Sequence, residues 1–383
     1  MGAATGLRTD RLQGSGENAF WYERGQCQTM RLLSPLLRQV VYPALGSAGY
    51  FRAGNSPLPA VVTYHGVVPD SYRVDDKIPA GPLLKATNFR NQVQALKKHY
   101  TVISPQQFLA WLKDSEALPP RAVLLTCDDG LLNQRTEMLP ILVEEKVSCL
   151  FFIPASCVEE NAEMLWYVEL YLVLSGSQNS RFRFQFGDAS WDEPLGNLSQ
   201  RRALWLELLH RLSQFSAGDR ALWLRQAEVE LGMEQMKRQL LDDPVTRMPF
   251  ALMTRAEVRG LLEAGMSVGA HTVSHPVLSK QSAVVAEYEI SESRRVLEES
   301  LPIPIWSMAY PFGDPGSATQ REFDLAKRAG YECAFRNCGG PVMASSSWFA
   351  LPRIHVTAEM RLSELEAHVS GFHSRISDSV RAM

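Results

Sequence analysis

Two short polar clusters stand out as able to do chemistry. Asp128 and Asp129 follow the apolar run Ala122–Cys127 and precede Gly130. Adjacent carboxylates at the mouth of a buried strand are costly to desolvate unless a cation answers them. Taken alone, they equally fit a solvated Asp-Gly turn. His271 and His275 lie four residues apart after the run Met266–Ala270. Neutral imidazoles are the commonest metal ligands, and an i, i+4 pair converges on one ion if the segment turns helically. Two histidines and one carboxylate form a facial site with open positions for water and substrate.

Other polar residues fall at comparable strand ends. His65 closes the run Ala60–Val67, and Tyr310, Pro311, Phe312 and Gly313 close the run Trp306–Gly313. A Pro-x-Gly turn there can aim backbone N–H groups into a cleft. Arg353 and His355 stand two apart in the late stretch Ala350–Val356. If Arg353 points inward from a strand, His355 shares its face. His99, His210, His368 and His373 read as surface residues.

The elements that must position these groups alternate along the chain. Apolar runs at 60–67, 100–104, 122–127, 148–155, 266–272, 306–313 and 332–337 suit strands covered on both faces. Amphipathic helical patterns separate them. One, beginning near Ser279, carries Ala286, Ile290, Leu297 and Leu301 before Pro302. Seven or eight such units give a parallel α/β barrel, whose strand C-termini gather on the catalytic face. The rhythm breaks between about 158 and 247, a helix-rich insertion with an alternating stretch at Phe182, Phe184 and Phe186. Trp166, Trp191, Trp205 and Trp223 fall in it, as core residues or as platforms for sugar rings. Residues 1–55 read as an N-terminal extension, partly helical or disordered, and 56–383 as the barrel.

Composition excludes several classes. The 383 residues are 45% hydrophobic and 21% charged, with a net charge of −3, as in an ordinary globular protein without a nucleic-acid footprint. The six cysteines (Cys27, Cys127, Cys149, Cys157, Cys333, Cys338) include no C-x-x-C pair, and several, lying in apolar runs, read as packing residues. No run reaches the roughly 18–20 apolar residues of a membrane span. The N-terminus lacks a signal-peptide core, so a cytoplasmic location is expected. Met30–Phe51 is more apolar but interrupted by Arg38 and Pro43. It reads as a helix packed on the domain, with peripheral membrane contact as the minor option. Translation from Met30 would make the first 29 residues a leader.

TCDDG (126–130), HTVSH (271–275) and YPFG (310–313), in that order, resemble the motifs of polysaccharide deacetylases, the NodB homology domain of carbohydrate esterase family 4. The resemblance covers roughly 60–156 and 248–356. It implies a deformed (β/α) barrel, often of seven strands, and one divalent ion, zinc first, with cobalt, nickel or manganese as alternatives. It further implies that Asp128 is the general base, that Asp129, His271 and His275 bind the metal, and that the Phe312 N–H helps hold an oxyanion. Ala309 stands where the family has an arginine, and Arg353 is the candidate replacement beside Asp128. His355 is the candidate for the family's late histidine, and His65 is its rival as general acid. The activity implied is removal of N-acetyl groups from amino sugars of a polysaccharide, oligosaccharide or lipid-linked precursor. An O-acetyl esterase or deformylase, and a catalytically silent sugar-binding module, are the alternatives.

Overall fold

The structure, a computed structural model, describes residues 34–53, 58–72, 83–159, 163–343 and 345–381. Residues 1–33, including Cys27 and the alternative start at Met30, lie outside the described residues.

The strands in chain order are β1 (Ala60–Tyr64), β2 (Val67–Val68), β3 (Leu84–Lys85), β4 (Thr101–Ile103), β5 (Ala122–Cys127), β6 (Leu150–Ile153), β7 (Arg181–Phe186), β8 (Ala189–Pro194), β9 (Ser267–Ala270), β10 (Ser307–Ala309), β11 (Cys333–Arg336), β12 (Leu351–Pro352) and β13 (Ile354–His355). Nine of them form one parallel sheet in the order β12-β11-β10-β9-β6-β5-β1-β13, with β4 beside the start of β5. The two ends of that order are one piece of chain. Pro352 pairs with Arg336 of β11, while Ile354 pairs with Val62 of β1. Arg353 therefore sits at the closure of a barrel whose seven walls are β1, β5, β6, β9, β10, β11 and the segment 351–355.

Two-sided burial explains the continuous apolar runs. Val61, Leu124, Phe152, Ala309, Phe335 and Leu351 share the barrel interior, floored by Phe108 and Leu112 of the helix Pro105–Leu112. The alternate residues Val62, Val123, Leu125, Phe151, Val268, Met308 and Ile354 pack outward on Phe89, Val93, Leu142, Ile290 and other helical side chains. Extending the inward register beyond each strand brings His65, Asp128, His271 and His355 to one end of the barrel. Gly269 makes room for the inward Phe152 ring, which a Cβ there would meet at 2.7 Å.

Between β6 and β9 the chain leaves the barrel and builds a second core. The helices Trp166–Gly176, Leu198–Leu212 and Ala217–Glu230 pack with the hairpin β7–β8 around Leu170, Phe182, Trp191, Leu208 and Trp223. β7 alternates exposed arginines with buried Phe182 and Phe184. Trp191 and Trp223 serve this core, pairing with Phe184 at ring separations of 5.8 and 4.9 Å.

From Ser34 the chain is helical to Ser47, with a π-turn at Leu37–Val41 just ahead of Pro43. Leu37, Tyr42 and Phe51 cluster with Ala367, and Arg52 grips the buried Glu366 at 2.7 and 3.0 Å. This docking corrects the surface reading of His368. That ring is buried and stacked 4.0 Å from His373, which Tyr42 reaches at 2.7 Å. No helix among the described residues is long and apolar enough to cross a membrane.

Candidate active site

The polar residues at the C-terminal end of the barrel are delivered by turns that most side chains avoid. Asp129 has φ 84° and is followed by Gly130 at 68°; Thr272, His275 and Phe312 have φ of 64°, 57° and 63°. Left-handed non-glycine residues cost on the order of 1–3 kcal/mol each and gather at functional sites, where surrounding contacts over-determine them. Gly130 is needed twice over, since a Cβ there would also meet Cys157 Sγ at 2.7 Å.

The expected helical turn between the two histidines is not what forms. Residues 271–275 make an irregular loop held by Glu289 from the helix Ala283–Ser300. The Glu289 carboxylate accepts the Val273 and Ser274 N–H groups at 2.9 Å each and the Ser274 hydroxyl at 2.6 Å. His275 N–H donates to Thr272 Oγ1 at 3.1 Å. The left-handed Thr272 and His275 then turn His275 back toward His271.

Asp129, His271 and His275 converge, all three buried, with one donor atom from each within 4.8 Å of the others. Nε2 of His271 and of His275 face Asp129 Oδ1 at 3.5 and 3.3 Å. His271 Nδ1 lies 2.7 Å from the Ala309 carbonyl, an acceptor, so the proton sits on Nδ1 and Nε2 presents a bare lone pair. A lone pair facing a carboxylate oxygen beyond normal hydrogen-bond length fits a cation between them. Burial pushes His275 below its ordinary value, keeping it in the neutral form that ligation needs.

Asp128 is held differently. Arg353 Nη1 and Nη2 donate to its two oxygens at 2.6 Å each, a bidentate pair with both side chains buried. The guanidinium lies over the rings of Phe152 and Phe335 at 5.2 and 5.9 Å, inside the barrel. Burial raises the Asp128 carboxyl, and Arg353, His271 and His65 overbalance it, leaving it below its ordinary value. The Asp128 N–H donates to the Tyr64 carbonyl at 2.9 Å, and Gln134 Nε2 reaches the carbonyls of Asp128 and His65. His65 and His355 lie side by side at a ring separation of 4.6 Å. His65 Nδ1 and His355 Nε2 are buried without hydrogen-bond partners. Burial, His65 and Arg353 push His355 down to about 3, against an upward pull from Asp128.

The third motif divides. Pro311 is buried, and Phe312 lays its ring 5.0 Å from His275 and 6.1 Å from Tyr167. Tyr310 does not line the site. Ala309 faces inward, so Tyr310 faces the helices, packing on Phe323 and donating to the Phe349 carbonyl at 3.0 Å. Cys127 packs in the outer layer with its thiol raised by burial.

Sequence reading missed the insertion's share. Tyr167 donates to Asp129 Oδ2 at 2.9 Å, and Trp166 Nε1 to the His275 carbonyl at 2.9 Å. Trp205 Nε1 in turn reaches the Tyr167 carbonyl at 3.3 Å. Glu289 was legible in principle, as a carboxylate in the buried stripe Ala286, Ile290, Ser293 and Leu297. Nothing local singled out Tyr167 within its apolar helix.

The family model described as polysaccharide deacetylase matches residues 236–334, which contain His271, His275 and the 310–313 turn. No curated protein matches the sequence significantly. Among solved structures, the Streptococcus pyogenes deacetylase PplD in complex with acetate is similar at a TM-score of 0.53 and 17% identity, over 82% of this chain and 98% of that one. A polysaccharide deacetylase from Bacillus cereus is similar at a TM-score of 0.50 and 14% identity, over 82% and 69%. At such identities the shared property is the fold, and the nearly closed parallel barrel of this chain is that of the polysaccharide deacetylases.

Proposed function

We propose that this protein is a metal-dependent carbohydrate deacetylase that hydrolyses N-acetyl groups on amino sugars. The observation that carries the reading is the pairing of two differently held acids. Asp129 faces two imidazoles with room for a cation, while adjacent Asp128 is kept ionised by a buried arginine.

Asp129, His271 and His275 would hold a divalent ion, zinc by the chemistry of the donor set, which when bound supplies Lewis-acid polarisation of an acyl carbonyl and acidifies water. Asp128 is the general base, receiving the proton of the attacking water. Its bidentate partner Arg353 fixes both carboxylate oxygens and favours the ionised state. The Phe312 N–H, at the left-handed turn, is the oxyanion donor. The leaving amine takes its proton through His355 or His65, the two imidazoles at the mouth of β1. Because His355 is neutral at rest, it must first receive the proton that Asp128 collects. An ester leaving group needs less acid help, so the same neutral His355 favours O-acetyl groups as a second substrate class.

The test is acetate release from acetylated chito-oligosaccharides and from O-acetylated sugars, read by mass spectrometry with and without chelator. Chelator-sensitive release from the amide is expected. Release unaffected by chelation, or none from either class by metal-loaded protein, overturns the reading.

A further inference from the structure

We propose that Tyr167, supplied by the insertion, is a positioning residue of the metal site that sets how strongly the ion is held; this rests on the metal reading above. The two oxygens of Asp129 have separate partners. Oδ1 faces His275 Nε2 at 3.3 Å and His271 Nε2 at 3.5 Å, whereas Oδ2 accepts the Tyr167 hydroxyl at 2.9 Å. That hydroxyl commits Oδ2 and would leave Oδ1 available to an ion held by the cluster. Without it the carboxylate is free to rotate and offer both oxygens.

The hydroxyl is itself firmly placed. Tyr167 stands at the start of the helix Trp166–Gly176, its ring 5.2 Å from His275 and 6.1 Å from Phe312. Trp205 from the next helix holds its carbonyl at 3.3 Å. Beside it, Trp166 holds the carbonyl of His275 at 2.9 Å and lies under the buried Arg220 guanidinium at 4.6 Å. One helix of the insertion thus touches two of the three ligand residues. The hydroxyl is the donor of this pair, since a carboxylate oxygen only accepts. Partners of this kind, one bond outside the ligands, typically change metal affinity about 10- to 100-fold when removed.

The experiment is zinc titration of chelator-stripped protein by competition with a chromophoric chelator, in wild type and Tyr167→Phe. Cobalt(II) substitution serves as a spectroscopic reading of coordination. Tyr167→Phe should bind zinc about 10- to 100-fold more weakly. Its cobalt d–d bands should shift, while the variant still unfolds in chelator in a single cooperative transition. Trp205→Phe loosens the insertion without touching a ligand and should bind within a few-fold of wild type. Tyr167→Leu, also lacking a donor, is the second variant should the phenylalanine chain not fold, with the same weakening expected. Equal affinity and unchanged cobalt bands in the Tyr167 variants, with wild type binding metal, overturn this proposal alone. Equal weakening by Trp205→Phe does the same, since docking rather than the hydroxyl would then be responsible. If wild type binds neither ion, the metal reading falls and takes this proposal with it.

Discussion

Replacing Arg353 with methionine isolates the ion pair that holds Asp128, the proposed base. The guanidinium makes two bonds of 2.6 Å to Asp128, and the two side chains are 0% and 2% exposed. Breaking a buried pair from one side costs about 3–5 kcal/mol, because it strands the other charge. The carboxyl can escape by protonating, which for a group of ordinary pKa costs about 4 kcal/mol at pH 7, so the two limits agree. The pH dependence carries the sign. In wild type Asp128 is depressed, so its contribution is present above the ordinary carboxyl value and is lost as pH falls through the folded value. In the variant, burial is no longer opposed by Arg353 and the folded value lies above the unfolded one. The penalty is then full at high pH and fades as pH falls toward about 4. Urea unfolding in chelator from pH 7.5 to 5 should show the gap narrowing by up to about 1.4 kcal/mol per pH unit. Adding Asp128→Asn should recover much of the loss, since apolar or neutral replacement of both partners is tolerated. A gap that is independent of pH, or equally large in the Asp128→Asn background, refutes the reasoning.

Asp128→Asn should retain stoichiometric zinc yet lose turnover by about 10²- to 10⁴-fold; near-normal acetate release would remove Asp128 as base. Glu289→Gln weakens three bonds that shape the loop carrying His275. It should cost about 2 kcal/mol in urea unfolding and weaken zinc binding, and an unchanged zinc titration would show that the loop holds itself. Of His355→Gln and His65→Gln, the one that removes the acid should lower kcat on the amide by about 10²-fold or more and spare an activated aryl acetate. Equal loss on both substrates assigns that histidine to structure instead.

How much was legible follows from the register of the strands. The apolar runs that became β1, β5, β6, β9, β10 and β11 were readable because both of their faces are buried, Leu124 inward and Leu125 outward being typical. His271 was readable because it extends the inward register of Ser267 and Gly269 past the strand end. The same parity argument would have withdrawn Tyr310, which follows the inward Ala309. The shape of the loop joining the histidines was not legible, because spacing does not distinguish a helical turn from two left-handed residues stabilised by a distant carboxylate. Tyr167 and the docking of Tyr42 over His373 depend on contacts between segments far apart in sequence. Local patterns carry no trace of such pairings.

Arg353 is tied to the fold more tightly than the Asp129, His271 and His275 cluster is. The triad is assembled from the loops after β5 and β9, neighbours on the two sides of β6. Asp128 acquires its bidentate partner from the segment that pairs with β11 on one side and β1 on the other. Arg353 N–H donates to the Arg336 carbonyl at 2.8 Å while the next residue pairs with Val62, so its side chain is aimed inward by the closure itself. Ala309 of β10, two walls away from this segment, leaves that wall apolar. Placing the cation on the closing strand makes the bidentate hold on Asp128 contingent on a shut barrel. A barrel open at β12–β13 would still gather Asp129, His271 and His275, but Asp128 would lose both guanidinium bonds and with them the fixed orientation of its carboxylate.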